Sequence, residues 1–149
     1  MTVKKRDRAS IFCFRGKEVL LCNMVDPVSQ NAFFAPPGGG IEKGEHARDC
    51  AKRECLEETG YHVLLLEQVE FTLHYPFYWA GSDYHCTTQY FLATLDESKK
   101  KQKVDDADYI TGHEWIHIDE AIARSKDLSE INIHQSLLLA KQTRNIFVA

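Results

Sequence analysis

Between residues 36 and 61 the chain reads PPGGGIEKGEHARDCAKRECLEETGY, a glycine-rich turn entering a patterned helix. This stretch limits the fold and the chemistry more than any other. Positions i and i+4 of an α-helix lie ~6 Å apart on one face. Glu54 and Glu58 have that spacing, with Glu57 beside them. Two carboxylates ~6 Å apart repel by roughly 3 kcal/mol at an effective dielectric of about 20, and by under about 1 kcal/mol in water. On a solvated face such a pair is cheap and says little. Here, however, Ala47, Ala51 and Cys55 form a stripe that the helix should bury, and Glu54 and Glu58 fall within about 60° of it at the helical period. They are therefore expected at the edge of the interior, where unpaired charge is expensive. A divalent cation between them reverses the sign of their interaction. Clustered oxygen ligands suit magnesium, manganese or calcium rather than zinc.

The spacing carries more than the helix. Gly39, then five residues, Glu45, then seven residues, Arg53-Glu54-Cys55-Leu56-Glu57-Glu58-Thr59-Gly60-Tyr61 resembles the Nudix box, G-x5-E-x7-R-E-U-x-E-E-x-G-U, where U is aliphatic. Every charged and glycine position matches; Cys55 and Tyr61 depart from the aliphatic pattern but are apolar enough to pack. Pro37-Gly38-Gly39-Gly40 is similar to the family's lead-in, with Phe34 where Trp is frequent and Pro36 where Leu is frequent. So many specified positions at fixed spacing make a far more specific signal than a lone glycine motif.

The resemblance implies an α/β fold, a Nudix-type α/β/α sandwich with a mixed β-sheet. It implies hydrolysis of a nucleoside diphosphate linked to some other group, with Mg2+ or Mn2+ as cofactor. By position, Glu54 and Glu58 are the expected metal ligands, Glu57 the next, and the Gly39 carbonyl a further one. Arg53, Glu54, Glu57 and Glu58 form the expected catalytic set, with Arg53 holding the glutamates through its paired donors. Glu45 is expected to cap or orient the turn. The general base is open among Glu57, Asp105, Asp106, Asp108 and Glu114. A nucleotide-binding sensor of the same fold is the alternative; such proteins commonly lose acidic positions of the box, and here all are present.

A chain of 149 residues suits one domain with one substantial core, here taken as residues 1–149. With 27% charged residues and a net charge of -4, there is no general basic surface for a large nucleic-acid footprint. The longest apolar cluster, Val63-Leu64-Leu65-Leu66, is far too short to span a membrane. The N-terminal MTVKKRDRAS reads as a short solvated arm, with a lesser role in attracting phosphates. Five cysteines, an odd number with no C-x-x-C pair, point to free thiols in a reducing compartment, the cytoplasm, and against a disulfide frame or zinc knuckle. Cys50 and Cys55 read as small packing residues.

Along the chain, Ser10 to Arg15 and Glu18 to Met24 read as a hairpin. A loop from Asp26-Pro27 through Asn31 ends at Phe33-Phe34, both candidates for stacking on a base, of which at least one is expected in the core. The helix starts near Lys43 to Glu45 and ends at Gly60. Strands are expected at His62 to His74 and Tyr84 to Leu95, joined by an aromatic link from Tyr75 to Asp83. Glu97 to Asp108 reads as a surface loop, Glu114 to Ile118 as a short strand, and Asp119 to Arg124 and Asn132 to Arg144 as helices. Ile133, Leu137 and Ala140 are the expected core positions of the last. His113-Glu114-Trp115-Ile116-His117 matches H-E-x-x-H, which binds zinc in proteases only on a helix. The residues around it alternate as in a strand, which sets the histidines ~13 Å apart.

The substrate is expected to be a nucleotide-type small molecule, with Phe34 and Tyr78 as its contacts; Phe77 and Trp79 are further candidates for stacking a base. In the family resembled, a proline at the position of Pro76 is associated with ADP-ribose hydrolases. A tyrosine at the position of Tyr78 is associated with dinucleoside polyphosphate and RNA pyrophosphohydrolases. The two markers cancel, and the short chain leans towards nucleoside triphosphates, dinucleotides or a capped RNA 5′ end.

Overall fold

The computed structural model describes residues 2–104 and 109–147. Asp105, Asp106 and Asp108, three of the candidates for the general base, lie outside the described residues. The elements in chain order are β1 (Lys4–Arg15), β2 (Glu18–Val25), β3 (Ala32–Ala35), β4 (Gly38–Gly40), α1 (Ala47–Thr59), β5 (Val63–Trp79), β6 (Ser82–Leu95), β7 (Ile110–His117), α2 (Ile118–Ser125) and α3 (Ile131–Phe147). This is the expected α/β sandwich, with a mixed sheet between α1 on one face and α2 with α3 on the other.

β1 is the central strand. It pairs in parallel with β6 from Lys4↔Tyr84 to Phe14↔Thr94, and antiparallel on its other side with β4 and then β2. Its two faces are both covered, so its apolar residues run nearly without interruption. Ala9, Ile11 and Cys13 pack towards α1 with Ala51 and Cys55. Phe12 and Phe14 pack on the opposite face with Ile133, Leu137 and Ala140, the α3 positions that helical spacing singles out. β2 leaves β1 after the turn at Gly16-Lys17 and pairs with β7 and β3.

Three expectations change. The N-terminal arm is no solvated tail, because Lys4 to Arg8 extend β1 beside β6. The aromatic link Tyr75 to Asp83 is mostly strand: β5 and β6 stay paired up to Trp79↔Ser82 and turn only at Ala80 and Gly81, both at positive φ. Pro76 is tolerated there because β5 is an edge strand and one edge of its backbone needs no partner. β3 and β4 were not foreseen, being too short to show a pattern. His113 and His117 lie in β7, paired with Cys22 and Glu18, so the zinc-protease geometry is absent. No described helix is long and apolar enough to cross a membrane.

α1 begins two residues later than Glu45. Gly44, at φ 79°, closes a turn in which the Glu45 N–H donates to the Glu42 carbonyl at 2.9 Å and Glu45 Oε1 accepts from the Glu42 N–H at 3.1 Å. The helix ends at Gly60, φ 78°, whose N–H donates to the Leu56 carbonyl, the left-handed cap that glycine adopts without strain. A Cβ at Gly60 would also collide with the Gln102 carbonyl oxygen. Gly60→Ala should therefore cost about 2 kcal/mol or more, from the left-handed backbone alone plus the collision. The check is a lower urea midpoint at an unchanged slope; an unaltered midpoint would show that the cap is not held as described.

Candidate active site

The site is built on the three glycines of β4, which pair with Arg8, Ala9 and Ser10 of β1. Gly38 lies so close that a Cβ would stand 2.7 Å from the Ala9 carbonyl oxygen and 2.8 Å from Ser10 Cβ. A Cβ on Gly39 would occupy the space taken by the Glu54 carboxylate. Helical side chains lean towards the N-terminus of their helix, and Glu54 and Glu58 of α1 accordingly meet the turn that precedes it. Glu58 Oε1 accepts the Gly38 N–H at 2.7 Å. Ser10 Oγ donates to the Pro37 carbonyl at 2.7 Å and fixes the same turn from the other side.

Both carboxylates are withdrawn from water. Glu58 is 7% exposed, and burial pushes its carboxyl up to about 8, against the pull of the Gly38 N–H. Burial also raises Glu54, with the Arg53 charge opposing it. Arg53 spends its donors mainly on three carboxylates and a backbone carbonyl. Nε and Nη2 grip Glu45 at 2.8 and 3.0 Å, Nη1 reaches Glu54 at 3.0 Å and Glu57 at 3.2 Å, and Nη2 also meets the Gly40 carbonyl at 3.4 Å. The grip of Arg53, with the Glu42 N–H, holds the Glu45 carboxyl down at about 2. Cys50 and Cys55 are fully buried, and burial pushes their thiols up to about 11 and about 12. They stay protonated packing residues and are poor nucleophiles.

Glu54, Glu58 and Gly38 to Gly40 line one end of a cavity of about 280 Å³, near the lower limit for small-molecule sites. Arg6, Arg8 and Ser10 of β1 line a second side, and Phe33, Phe77, Trp79 and Tyr109 a third. Asn132, Ile133 and Ser136 of α3 and Tyr75 of β5 line it as well. The aromatic side is ordered: Phe77 and Trp79 stack with centroids 5.9 Å apart, and Phe33 sets its edge against both. Asp26, 2% exposed, accepts from Val28 and Ser29 in its own loop and from the Ala80 N–H at the tip of the β5–β6 hairpin. It thereby ties that hairpin to the loop before β3.

Of the residues expected at the site, Glu54, Glu58 and Gly39 line the cavity. Glu57, with its side chain 57% exposed, stays at the rim on Arg53. Phe34 and Tyr78 do not line it. Strand alternation turns each to the face opposite its neighbours: Phe34 packs beneath the Arg124 guanidinium, and Tyr78 is 51% exposed. Phe33, Phe77 and Trp79 take the cavity positions instead. Glu114 is also elsewhere, bonded to Asn23 and Arg124. Tyr75 and Asn132 were missed, and Arg6 and Arg8 were foreseen only within an arm with a lesser role in attracting phosphates. The two arginines had a signal: Arg6, Arg8 and Ser10 alternate with Asp7 and Ala9, continuing β1 backwards with its cavity face charged.

The NUDIX domain family model matches residues 4–139. Similar solved structures include a NUDIX hydrolase from Nitrosomonas europaea, 22% identical over 97% of this chain and 90% of that one, TM-score 0.67. A C. elegans Ap4A hydrolase binary complex is 23% identical over 94% of this chain and 95% of that one, TM-score 0.60. A UDP-X diphosphatase is 17% identical over 99% of this chain and 66% of that one, TM-score 0.62. At these identities the structures establish a common fold. The family match, laid over a fold whose acidic helix and glycine turn meet in one cavity, defines the class: the chain belongs to the Nudix family, whose hydrolases are pyrophosphohydrolases.

The buried Glu58 makes metal-free stability depend on pH in a defined direction. The ordinary carboxyl value is 4.5 and the folded one about 8. Between them the unfolded chain has released a proton that the folded chain retains, so stability falls as pH rises through this window. The melting temperature of the EDTA-treated protein should decline from about pH 5 to about pH 8. Glu58→Gln, which can still accept the Gly38 N–H, should flatten the decline. A melting temperature that rises with pH over the same range and is unaffected by this substitution would contradict the burial described.

Proposed function

We propose that residues 1–149 act as a single domain that hydrolyses a pyrophosphate bond in a nucleoside diphosphate linked to another group. Glu54 and Glu58, the Gly39 carbonyl and, from the rim, Glu57 would hold Mg2+ or Mn2+. The observation that carries the proposal is that Glu54 and Glu58 line the same cavity as two arginines and an aromatic wall. The donor set fits such a cation. All are hard oxygens, the missing side chain of Gly39 makes the space in which the Glu54 carboxylate stands, and two converging acidic groups at neutral pH call for a positive counter-charge.

When bound, the cation would offset phosphate charge and acidify an attacking water. The chain's own residues do the rest. Arg53 fixes Glu54 and Glu57 relative to Glu45, so the carboxylates need not reorganise as charge develops. Glu57, solvent-facing and with no backbone contact to hold it, is the remaining described general-base candidate beside the turn. The arginine side suits phosphates, and the wall of Phe33, Phe77, Trp79 and Tyr109 suits a flat base, with Asn132 offering both a donor and an acceptor to its edge. The named activities of the Ap4A hydrolase and the UDP-X diphosphatase agree with a nucleotide derivative as substrate. The buried free cysteines agree with a cytoplasmic location.

The test is phosphate release from nucleoside triphosphates, ADP-ribose, dinucleoside polyphosphates, nucleotide sugars and a capped RNA 5′ end, with and without Mg2+ or Mn2+. Turnover that requires the cation is expected; binding without turnover would favour a sensor. Glu58→Gln should lower kcat/KM about a thousandfold, the scale of several kcal/mol of lost charge stabilisation, with the fold retained by circular dichroism. Arg53→Lys, which keeps the charge but cannot reach all its partners, should lower it about 10- to 100-fold. Full activity in Glu58→Gln would refute the assignment of the site.

A further inference from the structure

Arg8 differs from Arg53, all three of whose nitrogens are engaged with protein oxygens. It projects from β1 into the lining of the cavity, yet among the described residues only one of its nitrogens is engaged. Nη1 donates to the Tyr75 hydroxyl at 3.2 Å, and that hydroxyl shares a 2.7 Å hydrogen bond with Thr88 Oγ1, a residue with no exposed surface. Nε is fully buried and, among the described residues, has no partner. Among the described residues Nη2 has none either, and no carboxylate lies within ion-pair distance of the guanidinium. Arg6 shows the contrast: it lies over the Tyr84 ring, 5.7 Å from its centroid. A buried guanidinium whose sole hydrogen-bond partner among the described residues is a neutral phenol is costly to keep, and the Tyr75–Thr88 pair anchors its Nη1 end.

The unused nitrogens are not scattered. Nε and Nη2 form one edge of the guanidinium, where two N–H bonds run parallel at the spacing of two oxygens on one phosphorus. Arg8 lines the same cavity as Glu54, Glu58 and Gly39. We propose that the Nε–Nη2 edge of Arg8 directly receives two oxygens of the substrate's pyrophosphate group, with Tyr75 and Thr88 as positioning residues. Given the hydrolase reading above, on which the choice of a pyrophosphate rests, the substrate is held from two sides: by the cation on the glutamates, and by a contact that needs no metal. Because this contact exists before and during the reaction, its loss should raise KM more than it lowers kcat.

The test uses inorganic pyrophosphate as the probe, titrated calorimetrically into the full chain in EDTA. Wild type should bind, and Arg8→Gln should bind at least about tenfold more weakly, the loss of one charge-assisted contact. Arg8→Lys, a point charge in place of a fork, should also weaken binding, and Tyr75→Phe less so. In turnover Arg8→Lys should show a raised KM with kcat largely kept. No binding by wild type, or equal binding by Arg8→Gln, would overturn the proposal. If Arg8→Gln shows no thermal transition, Arg8→Lys decides, and unchanged affinity there overturns it. Metal-dependent turnover with Arg8-independent pyrophosphate binding leaves the hydrolase reading intact and removes this one. Arg8-dependent binding without turnover of any nucleotide does the reverse.

Discussion

The rest of the structure depends on how two carboxylates are kept beside the backbone of a glycine turn. An ionised carboxyl at 7% exposure with one hydrogen bond from the Gly38 N–H is under-supported, and it answers by holding its proton to about 8. Such a site cannot be assembled on an ordinary strand. Gly38 must lack a side chain because β1 is too close, and Gly39 must lack one because Glu54 is already there. The glycine run thus meets two separate steric demands, one from the sheet and one from the helix. Only where both are met can the acidic face of α1 open into the cavity rather than be walled off by a strand.

β1 makes that arrangement rigid. Its odd positions Ala9, Ile11 and Cys13 lock α1 to one face of the sheet, while Phe12 and Phe14 lock α3 to the other. The same even parity that points Phe12 and Phe14 into the core points Arg6, Arg8 and Ser10 into the cavity. The cavity is therefore the end of the α3-side core, where the strand's side chains change from apolar to charged. β5 follows the same rule: Tyr75, Phe77 and Trp79 share one face and line it, and Asp26 steadies the hairpin end that presents them.

This explains which parts could be read from the chain and which could not. The box, its helix from the acidic pair to Gly60, the β1–β2 hairpin and the Ile133, Leu137 and Ala140 core are local patterns, with spacing set by a single element. The choice of Phe33 over Phe34, and of Phe77 and Trp79 over Tyr78, is a matter of strand parity. A stretch taken for a link has no parity until its pairing partner is known. Pairing of Lys4 to Arg8 with residues some eighty positions later is equally invisible locally, and without it two arginines of the cavity look like solvated charge. Glu57 is a different case. It lies where the helix places it, but the edge of the stripe that buries Glu58 leaves it outside.

The two arginines nearest the turn show how much function depends on donor saturation rather than on charge. Arg53 has Nε, Nη1 and Nη2 all engaged with protein oxygens, so nothing remains to offer a ligand, and its chemistry is to hold Glu45, Glu54 and Glu57 in one array. A lysine could match its charge but not its fan. Among the described residues Arg8 has one nitrogen engaged and one edge without a partner, and it faces inward, where water cannot freely satisfy Nε. Interior polar groups are normally paired, so an interior guanidinium left open on its phosphate-matching edge is an asymmetry that the fold maintains at a cost. The fold offsets the charge of Arg53 with carboxylates and, among the described residues, leaves the buried Nε of Arg8 without a partner. On the reading proposed above, the scaffold lies on the helix side of the glycine turn and the reception of substrate on the β1 side.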